Sequence, residues 1–155
     1  LVQLIKGNLT GSGLVIGIVR SRFNAPVTQG LLSGALRVLE AYGINESNIT
    51  VVEVPGAFEI PFALDRLASG STYNALIAIG CVIKGETAHF EYISESVMDG
   101  IARVSAAHNI PIACGVLTTY TDEQAIARSS DNEENKGSEA ALAAIEMGNL
   151  AIQLS

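Results

Sequence analysis

The sequence predicts one α/β domain built on a four-stranded parallel sheet with helices on both faces. Two observations carry that prediction. Four short aliphatic runs stand between turn signals, and longer segments whose apolar residues recur at helical spacing lie among them. Parallel strands need a crossover long enough to hold a helix, and each such helix must bury its apolar stripe on the sheet. A chain of 155 residues fits one domain of this kind, because burying roughly 68 to 70% of the unfolded surface supports a single core.

Residues 14–19 (LVIGIV), between Gly11–Gly13 and Ser21–Asn24, read as a first strand buried on both faces. Leu31, Leu32, Ala35, Leu36 and Leu39 place a helix over 25–42, with Gly43 as its C-cap. Residues 49–54 repeat the strand pattern and stop at Pro55-Gly56, ahead of a short helix over 60–68. Residues 75–82 (ALIAIGCV) are the third strand, and Ile93, Val97, Ile101 and Val104 mark a helix over 90–107. Pro111 introduces a fourth strand at 112–117. A short helix over 121–128, the polar stretch SSDNEEN and an Ala-rich helix over 137–154 complete the chain. With no linker or repeat, 1–155 reads as a single domain.

Composition narrows the function classes. Hydrophobic residues make up 48% of the chain, yet no apolar run approaches the roughly 20 residues that span a bilayer. Only 16% of residues are charged, and interface centres are depleted in charge, so a homo-oligomer is expected. A net charge of −7 with scattered Lys and Arg lacks the basic footprint of nucleic-acid binding. Cys81 and Cys114 stand in no metal-ligand, dithiol or disulfide spacing, which argues for reduced thiols and against a metal site. The N-terminus LVQLIKGNLTGSG has no signal-peptide pattern, so a cytoplasmic location is expected, or an organelle if a transit peptide was removed.

Ligands of open α/β sheets bind beyond the carboxyl ends of the strands. Those ends carry Ser21–Asn24, Pro55–Glu59, Cys81–His89 and Thr118–Tyr120, with Arg128 and Lys136 further on. Thr87 and Gly85 at the mouth of the third helix outline an anion site, and equally an ordinary Thr N-cap after a Gly turn. Gly80-x-x-x-x-Gly85-Glu86-Thr87 nearly spells a P-loop, but Glu86 stands where a Lys must neutralise nucleotide phosphates. An NTPase is thereby rejected, and any phosphate held here faces backbone and Thr87 while Glu86 turns away. His89 is placed for proton transfer near neutral pH, and equally as a helix-start residue bonded to a carbonyl. His108, at a helix end, reads as a surface residue favoured by the helix dipole. Arg128 can clamp a phosphate bidentately. Phe23 is one of four Phe and four Tyr and lies in a polar setting that suits a ring awaiting a planar heterocycle. Glu59 suits either polyol hydroxyls or the first turn of its helix.

The segments SRFN (21–24), VPGAFEIP (54–61), GCVIKGETAHFEY (80–92), GVLTT (115–119), QAIAR (124–128) and NKGSEAA (135–141) stand in this order. Their order and spacing resemble those of lumazine synthases, over nearly the whole chain. The resemblance implies a three-layer, flavodoxin-like α/β/α fold and a transferase of riboflavin biosynthesis. Its substrates would be 5-amino-6-(D-ribitylamino)uracil and 3,4-dihydroxy-2-butanone 4-phosphate, condensed with loss of phosphate and water; no cofactor or metal is implied. By the same resemblance Phe23 stacks on the pyrimidine, and Asn24, Ala57, Phe58, Glu59, Cys81, Val82, Ile83 and Lys136 hold the uracil and ribityl chain. Glu86 and Thr87, through their amides, and Arg128 contact the phosphate, while His89 carries the proton.

Cys114 stands where the family usually has an aromatic residue donated to the neighbouring subunit's substrate. Residues 1–13 are expected to be an extended segment on a neighbouring subunit. Family members form pentamers with the site between subunits, some packing twelve pentamers into an icosahedral shell. The six residues between Arg128 and Asn135 match the short form of shell-formers, and association with riboflavin synthase is a further expectation. The competing readings are a flavodoxin-like FMN-binding module, a Schiff-base lyase using Lys84, and an inactive shell protein.

Overall fold

In the computed structural model, which describes residues 1–155, four strands pair in parallel: β1 (Ile16–Ser21), β2 (Ile49–Val54), β3 (Ala75–Ile83) and β4 (Ile112–Thr119). Their order is β2-β1-β3-β4, the flavodoxin-like arrangement, in which the chain leaves β1 for opposite sides of the sheet and opens a crevice at the β1/β3 ends. Three helices run between strands, α1 (Ala25–Ala41), α2 (Ile60–Ala68) and α3 (His89–His108). Two more, α4 (Asp122–Ser129) and α5 (Lys136–Gln153), follow β4.

The strands alternate sides with period two, but both sides are covered, so the sequence shows continuous aliphatic runs. Ile16, Ile18, Ile77 and Ile79 pack with Leu31 and Leu39 of α1, Ala125 of α4, and Ala141 and Ile145 of α5. Val19, Leu76, Ala78 and Val116 pack on the opposite face with Ile60 and Leu64 of α2 and Val97 and Ile101 of α3. These are the three layers that the sequence implies.

The first strand lies two residues later than the apolar run 14–19. Val15 is occupied by the loop before β3, donating its N–H to Asn74 Oδ1 and accepting from Asn74 N, both at 2.8 Å. At the other end the ladder continues through Arg20 and Ser21, polar residues that are buried all the same. β4 likewise runs on to Thr119, paired with Ile83. The other helices and strands lie within two residues of expectation, and β2 and α2 coincide with it. Two 3₁₀ turns, Glu46–Asn48 and Ala57–Glu59, were not legible; each is too short to show a period.

Gly137 sets how closely α5 approaches α1, and Gly30 how closely the end of α4 does. A Cβ on Gly137 would lie 1.9 Å from the Leu31 carbonyl oxygen, and one on Gly30 would lie 2.2 Å from that of Ser129. Asn135, almost fully buried, caps α5 by accepting from Ser138 N and donates to the carbonyls of Gly30, Ser129 and Ser130. Gly137→Ala is therefore expected to cost about 3 kcal/mol, because backbone rather than a pliable side chain must move; a lowered urea midpoint at unchanged m-value measures it.

Candidate active site

At the carboxyl end of the sheet, on the α2/α3 side, lies a cleft of about 530 Å³ lined by Phe23, the Gly56–Glu59 turn, Cys81–Ile83 and the start of α3. Phe23 follows β1 directly. Its ring is 70% exposed and its backbone N–H donates to Pro55 O, extending the β1/β2 pairing past the strand. Asn24 adopts the left-handed conformation at φ 62°, and its amide Nδ2 donates to the Cys81 carbonyl at 3.1 Å. This bond bridges β1 and β3 at the crevice where their paths diverge.

Glu59 ends the 3₁₀ turn and accepts from Gly56 N through Oε1 at 2.9 Å. It thus holds the Pro55-Gly56 corner in place and leaves its second oxygen for a ligand. Ala57 is buried while Phe58 is exposed, so the turn offers one aromatic ring to the cleft. The first residue of α2, just after the turn, sits close on β3 because position 80 is glycine: a Cβ there would meet Ile60 Cδ1 at 2.8 Å and, from β1, Ser21 Oγ at 3.1 Å.

Past β3 the chain runs through Lys84 to Ala88 before α3 opens at His89. Thr87 is not the cap, since Ala88 holds that position; Thr87 Oγ1 accepts only from His89 N, at 3.3 Å. The backbone N–H groups of Gly85, Glu86, Thr87 and Ala88 donate to no acceptor in the chain. They stand at the positive end of a 20-residue helix, where free N–H groups and the helix dipole favour an anion. His89 and Thr87 line the same cleft, while Glu86 is exposed and does not.

Arg128, Cys114 and Lys136 lie elsewhere. They line a second cleft, of about 230 Å³, with β4 residues 114–119, and β4 is an edge strand whose outer side pairs with nothing. Arg128 is exposed in the last turn of α4; its Nη1 donates to Gln124 O at 3.0 Å and no carboxylate pairs with it. Lys136 pairs with Glu139 at 2.9 Å, and Cys114 Sγ contacts Met98 Sδ at 3.6 Å. Lys84 points to neither cleft lining: its ammonium sits 5.6 Å from the Tyr120 ring centre. His108 is half-buried and paired with Asp65 at 2.7 Å, which fastens α3 to α2 at the far end of the sheet.

A family model described as 6,7-dimethyl-8-ribityllumazine synthase matches residues 13–151. The chain belongs to the 6,7-dimethyl-8-ribityllumazine synthase family. Lumazine synthase is a transferase activity of riboflavin biosynthesis, and the match extends over both clefts. No helix is long and apolar enough to cross a membrane.

Two residues lining the first cleft were not singled out in the sequence. Phe90 and Ile93 face the cleft from the first turns of α3; Ile93 continues the spacing of Val97 and Ile101 and so reads as core. Their signal was proximity to His89 within one helical turn.

The two thiols of the chain differ sharply. Burial, with a smaller contribution from the Asp122 carboxylate, pushes the Cys81 thiol from 9.0 up to about 11, so it stays protonated and presents its backbone rather than a nucleophile to the cleft. Cys114 is exposed. At pH 8 an alkylating reagent is expected to modify Cys114 of dissociated chains quickly and Cys81 only on unfolding, as mass spectrometry of the labelled chain would read. Because the folded pKa is the higher one, Cys81 burial contributes stability that is complete below pH 9 and is lost as pH rises through about 11.

Proposed function

We propose that the chain condenses 5-amino-6-(D-ribitylamino)uracil with 3,4-dihydroxy-2-butanone 4-phosphate to 6,7-dimethyl-8-ribityllumazine, releasing phosphate and water. The observation that carries this reading is the row of free N–H groups from Gly85 to Ala88 beside His89, in one cleft with the exposed Phe23 ring. A leaving phosphate, a proton carrier and a stacking surface are what such a condensation requires.

In this reading the pyrimidine stacks on Phe23, and the cleft walls at Asn24, Ala57, Phe58, Glu59, Cys81, Val82 and Ile83 hold the uracil edge and the ribityl hydroxyls. The phosphate rests on the amides at Glu86 and Thr87, with the Glu86 carboxylate turned outward. Amine attack on the ketone, loss of water to an imine, departure of phosphate and ring closure each move a proton, and His89 serves those transfers. Holding both reactants in one pocket can supply about 7 to 11 kcal/mol of the acceleration.

Arg128, Cys114 and Lys136 join the site from a neighbouring copy. Within one chain they line a separate cleft along the open β4 edge, and large apolar side chains, including Phe62, Tyr92, Tyr120 and Ile126, are exposed. Such a surface suits burial against further copies. Lys6, Asn8 and Thr10 are tied by their carbonyls to Gln153 and Asn149 of α5. Leu1–Ile5 remain exposed and extend to a neighbour in this account. A pentamer, its assembly into a 60-chain shell, a cytoplasmic location and association with riboflavin synthase belong to the same proposal.

Lys84 supports the Schiff-base alternative poorly, since its ammonium is engaged with Tyr120 away from the cleft. Mixing the chain with both substrates while following lumazine absorbance and phosphate release tests the function. Equal amounts of the two products are expected. Bound flavin in the purified protein without turnover would favour the FMN-binding alternative instead.

A further inference from the structure

We propose that Arg20 is a positioning residue for the Phe23 ring, and hence sets affinity for the pyrimidine substrate. This rests on the reading of Phe23 as the stacking surface. Arg20 projects from β1 on the α1 side, and its side chain is only 9% exposed. Its guanidinium reaches two other elements, α1 and β2. Nε donates to Thr28 Oγ1 at 3.2 Å, Nη2 to the Ala25 carbonyl at 3.4 Å, and Nη1 to Glu53 Oε2 at 2.5 Å. Thr28 is fully buried. A buried cation is costly unless its donors are matched, and an apolar residue of similar volume would serve the core as well or better. What the guanidinium supplies instead is geometry: it binds the first turn of α1 to β1 and β2.

Only Arg22, Phe23 and Asn24 link β1 to α1. Arg20 grips the chain on one side of that link and, through Ala25 and Thr28, on the other. The link is also tied by Arg22 N to Val54 O, Phe23 N to Pro55 O, the Asn24 amide to Cys81 O, and Val27 N and Thr28 N of α1 to Asn24 O. Asn24 stands in the left-handed region, which a non-glycine residue holds only when its surroundings fix it. The Phe23 ring is itself mostly exposed, so its place over the cleft depends on this backbone rather than on side-chain packing. Loosening the clamp lets the ring wander from the plane it must offer.

The test is steady-state kinetics of Arg20→Met, Thr28→Val, Phe23→Ala and the Arg20→Met/Phe23→Ala double variant. Met keeps much of the volume, and Glu53, half-exposed, can be hydrated once unpaired; Thr28→Val removes one acceptor isosterically should the first variant fold poorly. Arg20→Met is expected to raise KM for the aminouracil about two- to tenfold, the range of one aromatic stacking contact. Turnover at saturation and KM for the butanone phosphate stay unchanged. Thr28→Val gives a smaller rise of the same kind, and the double variant matches Phe23→Ala, since the clamp has no further effect once the ring is gone. If Phe23→Ala raises the aminouracil KM but Arg20→Met and Thr28→Val do not, or if they shift kcat and both KM values together, the inference is overturned while the stacking reading stands. An unchanged KM in Phe23→Ala overturns both.

Discussion

Replacing Arg128 with alanine is expected to raise KM for the phosphorylated ketone about ten- to a hundredfold, the loss expected for charge-assisted hydrogen bonds to a phosphate. Use of the aminouracil should change little. Arg128 is free for this role: one of its five N–H donors is spent on Gln124 O and no carboxylate neutralises it. The amides from Gly85 to Ala88 remain in the variant, so phosphate binding weakens without vanishing. Arg128→Lys should recover only part of the loss, because an ammonium keeps the charge but not the planar fork. The KM of each substrate, measured with the other saturating, separates these outcomes; unchanged kinetics would remove Arg128 from the site.

His89→Ala should reduce kcat by about 10² to 10³-fold, the scale of one general acid–base. It should leave both KM values nearly constant. Residual turnover is expected because proximity of the two reactants and the phosphate cradle do not depend on the imidazole. Complete loss of turnover in a properly folded variant would contradict this division of labour.

How much was legible follows from the physics of each feature. Strands buried on both faces announce themselves as aliphatic runs, so the αβ alternation and the sheet class could be read directly. The strand ends were less clear because they are where polarity enters. Arg20 and Ser21 belong to β1, yet an apolar criterion stops before them. The buried role of Arg20 depends on Thr28 and Ala25 of α1 and Glu53 of β2, which only the folded chain brings together. Most cleft-lining residues lie in segments legible in the sequence, but their division between two clefts was not. Asn24 and Glu59 read as ligand contacts; each also has a structural bond, to Cys81 O and Gly56 N, that a linear pattern does not display. Ile93 was hidden by its fit to the core periodicity of α3.

The central claim is that His89 and Arg128 of different chains complete one site. Co-assembly of His89→Ala and Arg128→Ala chains in equal amounts, after dissociation and mixing, tests it most directly. Each neighbouring pair then has some chance of joining an intact His89 half to an intact Arg128 half. With the phosphorylated ketone well below its KM, the mixture should recover about a quarter of the wild-type rate, as random placement in a closed ring predicts. Activity no greater than the mean of the two separate variants would contradict the claim and place both residues in a site made by one chain.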